Sequence, residues 1–96
     1  MKLFYTPEAI SDLQRLKTFI EVNNPLAAKK ASLNLREGID KLVTFPKIGL
    51  PVSKAPDPQV IRDLYVSNYT VRYLIQKQVI TILRIWHNKE NEKNHL

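Results

Sequence analysis

Three arginines, Arg62, Arg72 and Arg84, fall in three separate stretches of the last third of the chain, and the third stretch continues Trp86-His87-Asn88-Lys89. Cations interleaved with an aromatic residue can bind phosphates or an acidic protein surface, and an imidazole such as His87 can carry a proton. If the three arginines share one face of a sheet, they make a positive patch on the side that helices leave open. Each residue also has a plainer reading: arginine in an ion pair or at a solvated edge, tryptophan at the rim of a core, histidine without a task. Other chemistry is poorly served. The chain has no Cys, hence no thiolate ligand, no disulfide and no Cys nucleophile. His87 and His95, even with Glu90 or Glu92, do not make a convincing metal-ligand set, so no metal and no cofactor are expected. Gly38 and Gly49 are the only glycines, which argues against a phosphate-cradling loop. Asp12, Glu37, Asp40, Asp57 and Asp63 lack the paired spacing of an acid/base couple.

The elements that must position these residues follow from periodicity and punctuation. Leu3-Phe4-Tyr5 is a short β-prone run ending at Thr6-Pro7-Glu8, which offers an N-cap hydroxyl, a proline at the first helical position and an acid in the first turn. Ile10, Leu13, Leu16, Phe19 and Ile20 recur at helical spacing, so a first helix is predicted over Pro7–Val22. Asn24-Pro25 stops it and caps a second, predicted over Pro25–Thr44 from the stripe Ala28, Ala31, Leu35, Ile39, Leu42. The short connection makes the two an antiparallel hairpin. Gly38 inside the second helix costs about 1 kcal/mol relative to Ala, and close approach of a neighbour is one reason to keep it. Residues 45–58 carry Pro46, Gly49, Pro51, Pro56 and Pro58 and read as a connecting loop. Three strands follow: Val60–Val66, a turn at Ser67-Asn68, Tyr69–Gln76, a turn at Lys77-Gln78, and Val79–Trp86. Tyr69, Val71, Tyr73 and Ile75 share one face. Val79–Trp86 is apolar on both faces and reads as a central strand. The tail from His87 to Leu96 is polar. The order β-α-α-β-β-β predicts an α+β fold, with the helical hairpin packed on one face of a small antiparallel sheet.

At 96 residues, with 44% hydrophobic and 25% charged side chains, the chain is one globular domain over 1–96. No apolar run reaches the about 18 residues needed to cross a bilayer, and the start carries no signal-peptide pattern. A cytoplasmic protein without membrane partners is the expectation. Lys plus Arg number 15 against 9 Asp plus Glu, a formal net charge of +6. Residues 1–58 hold nine basic and six acidic side chains and residues 59–96 hold six and three, so the excess is spread evenly. Such a charge favours acidic or polyanionic partners and also serves solubility.

Five motifs, in order and spacing, resemble a known family over nearly the whole length. They are Tyr5-Thr6-Pro7-Glu8-Ala9 with Asp12-Leu13; Asn24-Pro25-Leu26-Ala27-Ala28; Phe45-Pro46-Lys47-Ile48-Gly49-Leu50-Pro51; Arg62-Asp63-Leu64-Tyr65-Val66 followed by Tyr69-Thr70-Val71-Arg72-Tyr73; and Ile82-Leu83-Arg84-Ile85-Trp86-His87. Together they resemble the ParE branch of the RelE/ParE toxin superfamily. The resemblance implies the toxin of a type II toxin–antitoxin pair with a cognate ParD-like antitoxin that wraps it. ParE-like members inhibit DNA gyrase without known nuclease chemistry. RelE-like members cut mRNA on the ribosome with a cluster of basic residues and no metal.

The residue-by-residue match favours the ParE side. Where RelE-type proteins tend to carry Lys-x-Lys, this chain has Arg62 and Leu64; where they carry Arg after the tyrosine that opens the next strand, Thr70 follows Tyr69; where they carry Lys-Arg after the last strand, it has Asn88-Lys89. The catalytic tail Tyr has no match in residues 91–96. Phosphodiester cleavage needs such cations to stabilise a dianionic transition state. The resemblance therefore implies a toxin with no catalytic residues, meeting gyrase through Arg62, Arg84, Trp86, His87 and Lys89. It implies an antitoxin contact through Leu16, Phe19, Ile20, Leu35, Tyr73 and Leu74. The alternative is a RelE-like endonuclease using Arg72, His87 and Lys89 on the ribosome with mRNA, and a further one is a non-toxic, antitoxin-binding relative.

Overall fold

The first strand, β1 (Lys2–Tyr5), hands over directly to helix α1 (Pro7–Asn23) at Thr6. The Thr6 hydroxyl accepts the Ala9 amide at 3.0 Å and donates to the Leu83 carbonyl at 2.8 Å, so one side chain caps the helix and ties it to the sheet. Asn24 repeats the device: its side-chain oxygen accepts the Ala27 amide at 3.1 Å and Pro25 opens α2 (Pro25–Asp40). The second helix ends four residues before the predicted Thr44. Its apolar spacing runs on through Leu42, but the backbone tightens into a 3-10 turn over Lys41–Val43. In this computed structural model residues 1–90 and residue 92 are described, so His95 and the end of the tail lie outside the described residues.

Four further strands complete one sheet: β2 (Leu50–Pro51), β3 (Ile61–Val66), β4 (Tyr69–Gln76) and β5 (Val79–His87), in the order β1-β5-β4-β3-β2. The sequence reading had one strand fewer and an antiparallel sheet throughout. β2 is a two-residue strand inside the proline-rich loop, and it tolerates Pro51 because it lies at the edge. β1 runs parallel to β5, with Leu3 opposite Ile80 and Tyr5 opposite Ile82. β5 is thus central, as its two-faced apolar pattern predicts. A bulge breaks the β4–β5 ladder: Arg72 faces Arg84 and Tyr73 faces Ile82, which leaves Leu83 as the extra residue. Both hairpin turns use left-handed residues, at Ser67 (φ 52°) and at Lys77 (φ 49°) and Gln78 (φ 67°).

Both helices cover one face of the sheet. Ala9, Leu16, Leu35, Ile39 and Leu42 pack there on Leu64, Tyr69, Val71, Tyr73, Ile80, Ile82 and Ile85. Each fully buried large aliphatic chain among them contributes about 1.5–3 kcal/mol. Gly38 lets α2 approach β3, since a Cβ there would lie 2.7 Å from a Val66 methyl. On the opposite face a smaller cluster, Val52, Ala55 and Ile61 with Val60 and Leu74, shows the proline-rich loop folding back over one end of the sheet.

Candidate functional site

The three arginines do not share a face. Arg62 is opposite Tyr73 in the β3–β4 ladder, on the helix side, whereas Arg72 is opposite Asp63 on the other side. Arg84 follows the bulge and turns toward α1. Arg62 and Arg72 are buried and Arg84 is partly buried. Arg62 is buried and donates to the Gln59 carbonyl (3.0 Å), the Gly49 carbonyl (2.8 Å), the Lys47 carbonyl (3.3 Å) and the Gln59 side chain (3.0 Å). Arg72 is buried and grips Asp63 with two bonds of 2.8 and 2.9 Å, reaches Glu92 at 2.7 Å, and lies 5.2 Å from the centre of the Trp86 ring. Arg72 holds the Glu92 carboxyl below the usual carboxylate range. Arg84 grips Asp12 with bonds of 2.8 and 3.0 Å. The positive patch expected from sequence is therefore absent: bulge and register send the arginines to different faces, and Asp63, Glu92 and Asp12 neutralise two of them. Trp86 is buried against Arg72 and offers no open stacking platform.

His87 and Lys89 lie elsewhere, on the helix side of the end of β5. With Arg15, Leu16, Phe19 and Ile20 of α1, Tyr69 of β4, and Glu90, they line a groove of about 550 Å³. Phe19 is 70% exposed at its rim. His87 packs edge-on against Tyr69, ring centres 5.2 Å apart, and its Nδ1 accepts the Lys89 amide at 3.0 Å. Glu90 accepts the His87 amide at 2.8 Å and a bond from Arg15 at 3.2 Å, so it closes the end of β5 onto α1.

This groove unites residues that the sequence reading assigned to two partners. Leu16, Phe19 and Ile20, expected to meet an antitoxin, share it with His87 and Lys89, expected to meet a target. The other expected contacts lie apart. Leu35 and Tyr73 are core residues with almost no surface, and Leu74 is half-buried under the proline-rich loop on the opposite face. Burial removes Leu35 and Tyr73 from any rigid-body interface.

Asp12 and Tyr73 gain roles that sequence reasoning missed. Asp12, 1% exposed, accepts from Arg15, from Arg84 twice and from the Ile85 amide. The i,i+3 spacing to Arg15 was its one local signal. Tyr73 Oη donates to the Pro46 carbonyl at 2.7 Å and accepts the Gly49 amide at 3.0 Å, and burial pushes its pKa up. Among the described residues no group of three His, Cys, Asp or Glu could hold a metal ion, and no helix is long and apolar enough to cross a membrane.

A family model described as ParE toxin of type II toxin-antitoxin system, parDE, matches residues 3–92. The chain is 29% identical over 87 residues to Toxin RelE2 of Caulobacter vibrioides, covering 90% of this chain and 93% of that protein. Among solved structures it is similar to the chromosomal ParDE TA system from P. aeruginosa, with a TM-score of 0.77 and 26% identity over 91% of this chain and 95% of that one. The conserved hypothetical protein HP0894 from Helicobacter pylori shares the fold, with a TM-score of 0.58 and 18% identity over 94% and 97% of the two chains.

Proposed function

The chain belongs to the ParE toxin family of type II toxin–antitoxin systems, and from that premise we propose that it is a non-enzymatic poison of DNA gyrase, restrained by a ParD-like antitoxin in the cytoplasm. One observation supports the gyrase reading over RNA cleavage: Arg62, Arg72 and Arg84 each turn most of their recorded bonds to carbonyls and carboxylates of the chain itself, with Arg72 Nη1 the one buried side-chain nitrogen left unpaired among the described residues. A dianionic transition state needs free, preorganised cations, and removing one such group can cost about 3 kcal/mol of barrier. The antitoxin contact is assigned to the groove at Phe19 and Ile20, above the buried Leu16, with Leu74 outside it. An antitoxin segment seated there also covers His87 and Lys89, which remain the open atoms of the proposed target contact. Arg62, Arg84 and Trp86 serve that contact by holding the sheet and its loops.

The test is purified chain with gyrase, relaxed plasmid and ATP, read for supercoiling and for trapped cleaved DNA. Dose-dependent inhibition that antitoxin reverses is expected. The name of the Caulobacter relative favours a second reading, ribosome-dependent mRNA cleavage through Arg72, His87 and Lys89. Growth arrest without any effect on gyrase, abolished by Arg72→Ala, His87→Ala or Lys89→Ala, would replace the first reading by the second. A chain that neither arrests growth nor touches gyrase is an antitoxin-binding relative without toxicity.

A further inference from the structure

The loop between α2 and β2 is built unlike an ordinary connection. Two buried side chains from the sheet hold its backbone at four points: Tyr73 takes the Pro46 carbonyl and the Gly49 amide, and Arg62 takes the Lys47 and Gly49 carbonyls. The Ile48 amide closes on the Phe45 carbonyl at 3.2 Å, and the Phe45 amide on the Lys41 carbonyl at 2.8 Å. Gly49 has no room for a side chain, because a Cβ would lie 2.6 Å from Tyr73 Oη and 2.9 Å from the Asp63 carbonyl. The loop is thus fixed from beneath, yet what it holds up is apolar: Phe45 is 61% exposed and Ile48 43%, beside a shallow depression lined by Thr44, Pro46 and Lys47. Connections are ordinarily polar and mobile. Fixing large apolar side chains in water gains nothing in the free protein, and it removes the ordering cost when a partner receives them.

We propose that this loop is a preformed docking knob for the toxin's protein target, with Phe45 and Ile48 as anchors. The inference rests on the reading of the chain as a toxin with a protein target. Charge specifies the partner. Lys41 and Lys47 flank the anchors and residues 41–48 hold no acid, so the matching surface is an apolar pocket with an acidic rim. A second copy of this basic chain is repelled by the same lysines. The antitoxin has its own place in the groove between α1 and the ends of β4 and β5, whereas the knob lies past α2, beside the β2 edge of the sheet. Arg62 enters target recognition as a positioning residue, through the loop it holds.

The experiment compares the full chain with a Phe45→Ser/Ile48→Ser double variant and a Lys47→Glu variant, each purified from its antitoxin complex. Melting temperature, antitoxin affinity, growth arrest and inhibition of gyrase supercoiling are read for each. Unchanged melting and antitoxin affinity are expected, with toxicity in the double variant reduced by about tenfold or more, as for the loss of hot-spot anchors. Lys47→Glu should weaken toxicity most at low salt. Toxicity retained by the double variant overturns the proposal, as does a loss of antitoxin affinity in step with toxicity. If the wild type arrests growth but leaves gyrase untouched, the gyrase reading fails and growth arrest alone decides the knob. A wild type without either effect overturns both.

Discussion

Asp12 accepts four hydrogen bonds at 2.6–3.0 Å while almost wholly buried, and three of them come from the Arg84–Ile85 segment of β5. Removing the carboxylate leaves the buried Ile85 amide without its partner, while Arg84 keeps partial access to water, which costs about 1–3 kcal/mol. Asp12→Ala should show that loss in urea unfolding. Burial pushes the Asp12 pKa up, but the bonds from Arg84, the Ile85 amide and Arg15 outweigh it and hold it below the ordinary carboxylate value. A depressed folded value means that the stabilisation is complete above the unfolded value, about 3.9, and is lost as pH falls through the folded one. Asp12→Asn should therefore flatten the acid limb of stability against pH below about 4, and an acid limb as steep as in the wild type would refute the assignment. None of this was legible locally. The sequence reading placed Asp12 among acids without a paired spacing, because its main partner is 72 residues away. For Arg72 the sequence left an ion pair and a cation for chemistry both open, and only the β3–β4 register shows Asp63 beside it.

Elements were more legible, because their signals are local. Thr6-Pro7 and Asn24-Pro25 start both helices as their residue types dictate, and the 2.0 and 3.6 periods separate strands from helices correctly. The C-terminus of α2 was misplaced because Leu42 continues the apolar stripe after the helical hydrogen bonds have tightened into a 3-10 turn. The Lys77-Gln78 turn holds a prediction of its own. Both residues adopt left-handed φ, 49° and 67°, although neither has the small or self-bonding side chain that makes this region accessible. Each such residue carries about 1 kcal/mol of strain. Lys77→Asn with Gln78→Gly should relieve it and raise the melting temperature by about 4–8 °C for each kcal/mol gained. Unchanged melting would mean that the β4–β5 ladder alone sets the turn.

At the scale of the whole molecule, the strand order β1-β5-β4-β3-β2 could not be read from the chain, since β1 and β5 pair across almost its full length. What the fold does with charge was equally hidden. Asp12, Asp63, Glu90 and Glu92 turn inward or across to arginines of the sheet and α1, and Arg62 is buried against carbonyls, so among the described residues the exposed positive charge rests on lysines and Arg36. The two populations answer salt differently. From about 0.1 M to about 1 M the Debye length falls from ~10 to ~3 Å, which screens exposed lysines and spares the buried Arg72–Asp63 pair. Association with an acidic antitoxin or target should then slow by about tenfold or more, with a smaller change in dissociation, because steering acts on encounter. Stopped-flow association rates, set beside the melting temperature of the free toxin over the same salt range, check both halves at once. A salt-independent on-rate would mean that the exposed cations face away from the partner. A melting temperature that collapses with salt would mean that the fold, rather than recognition, depends on screened charge, and the separation of inward arginines from outward lysines would then fail.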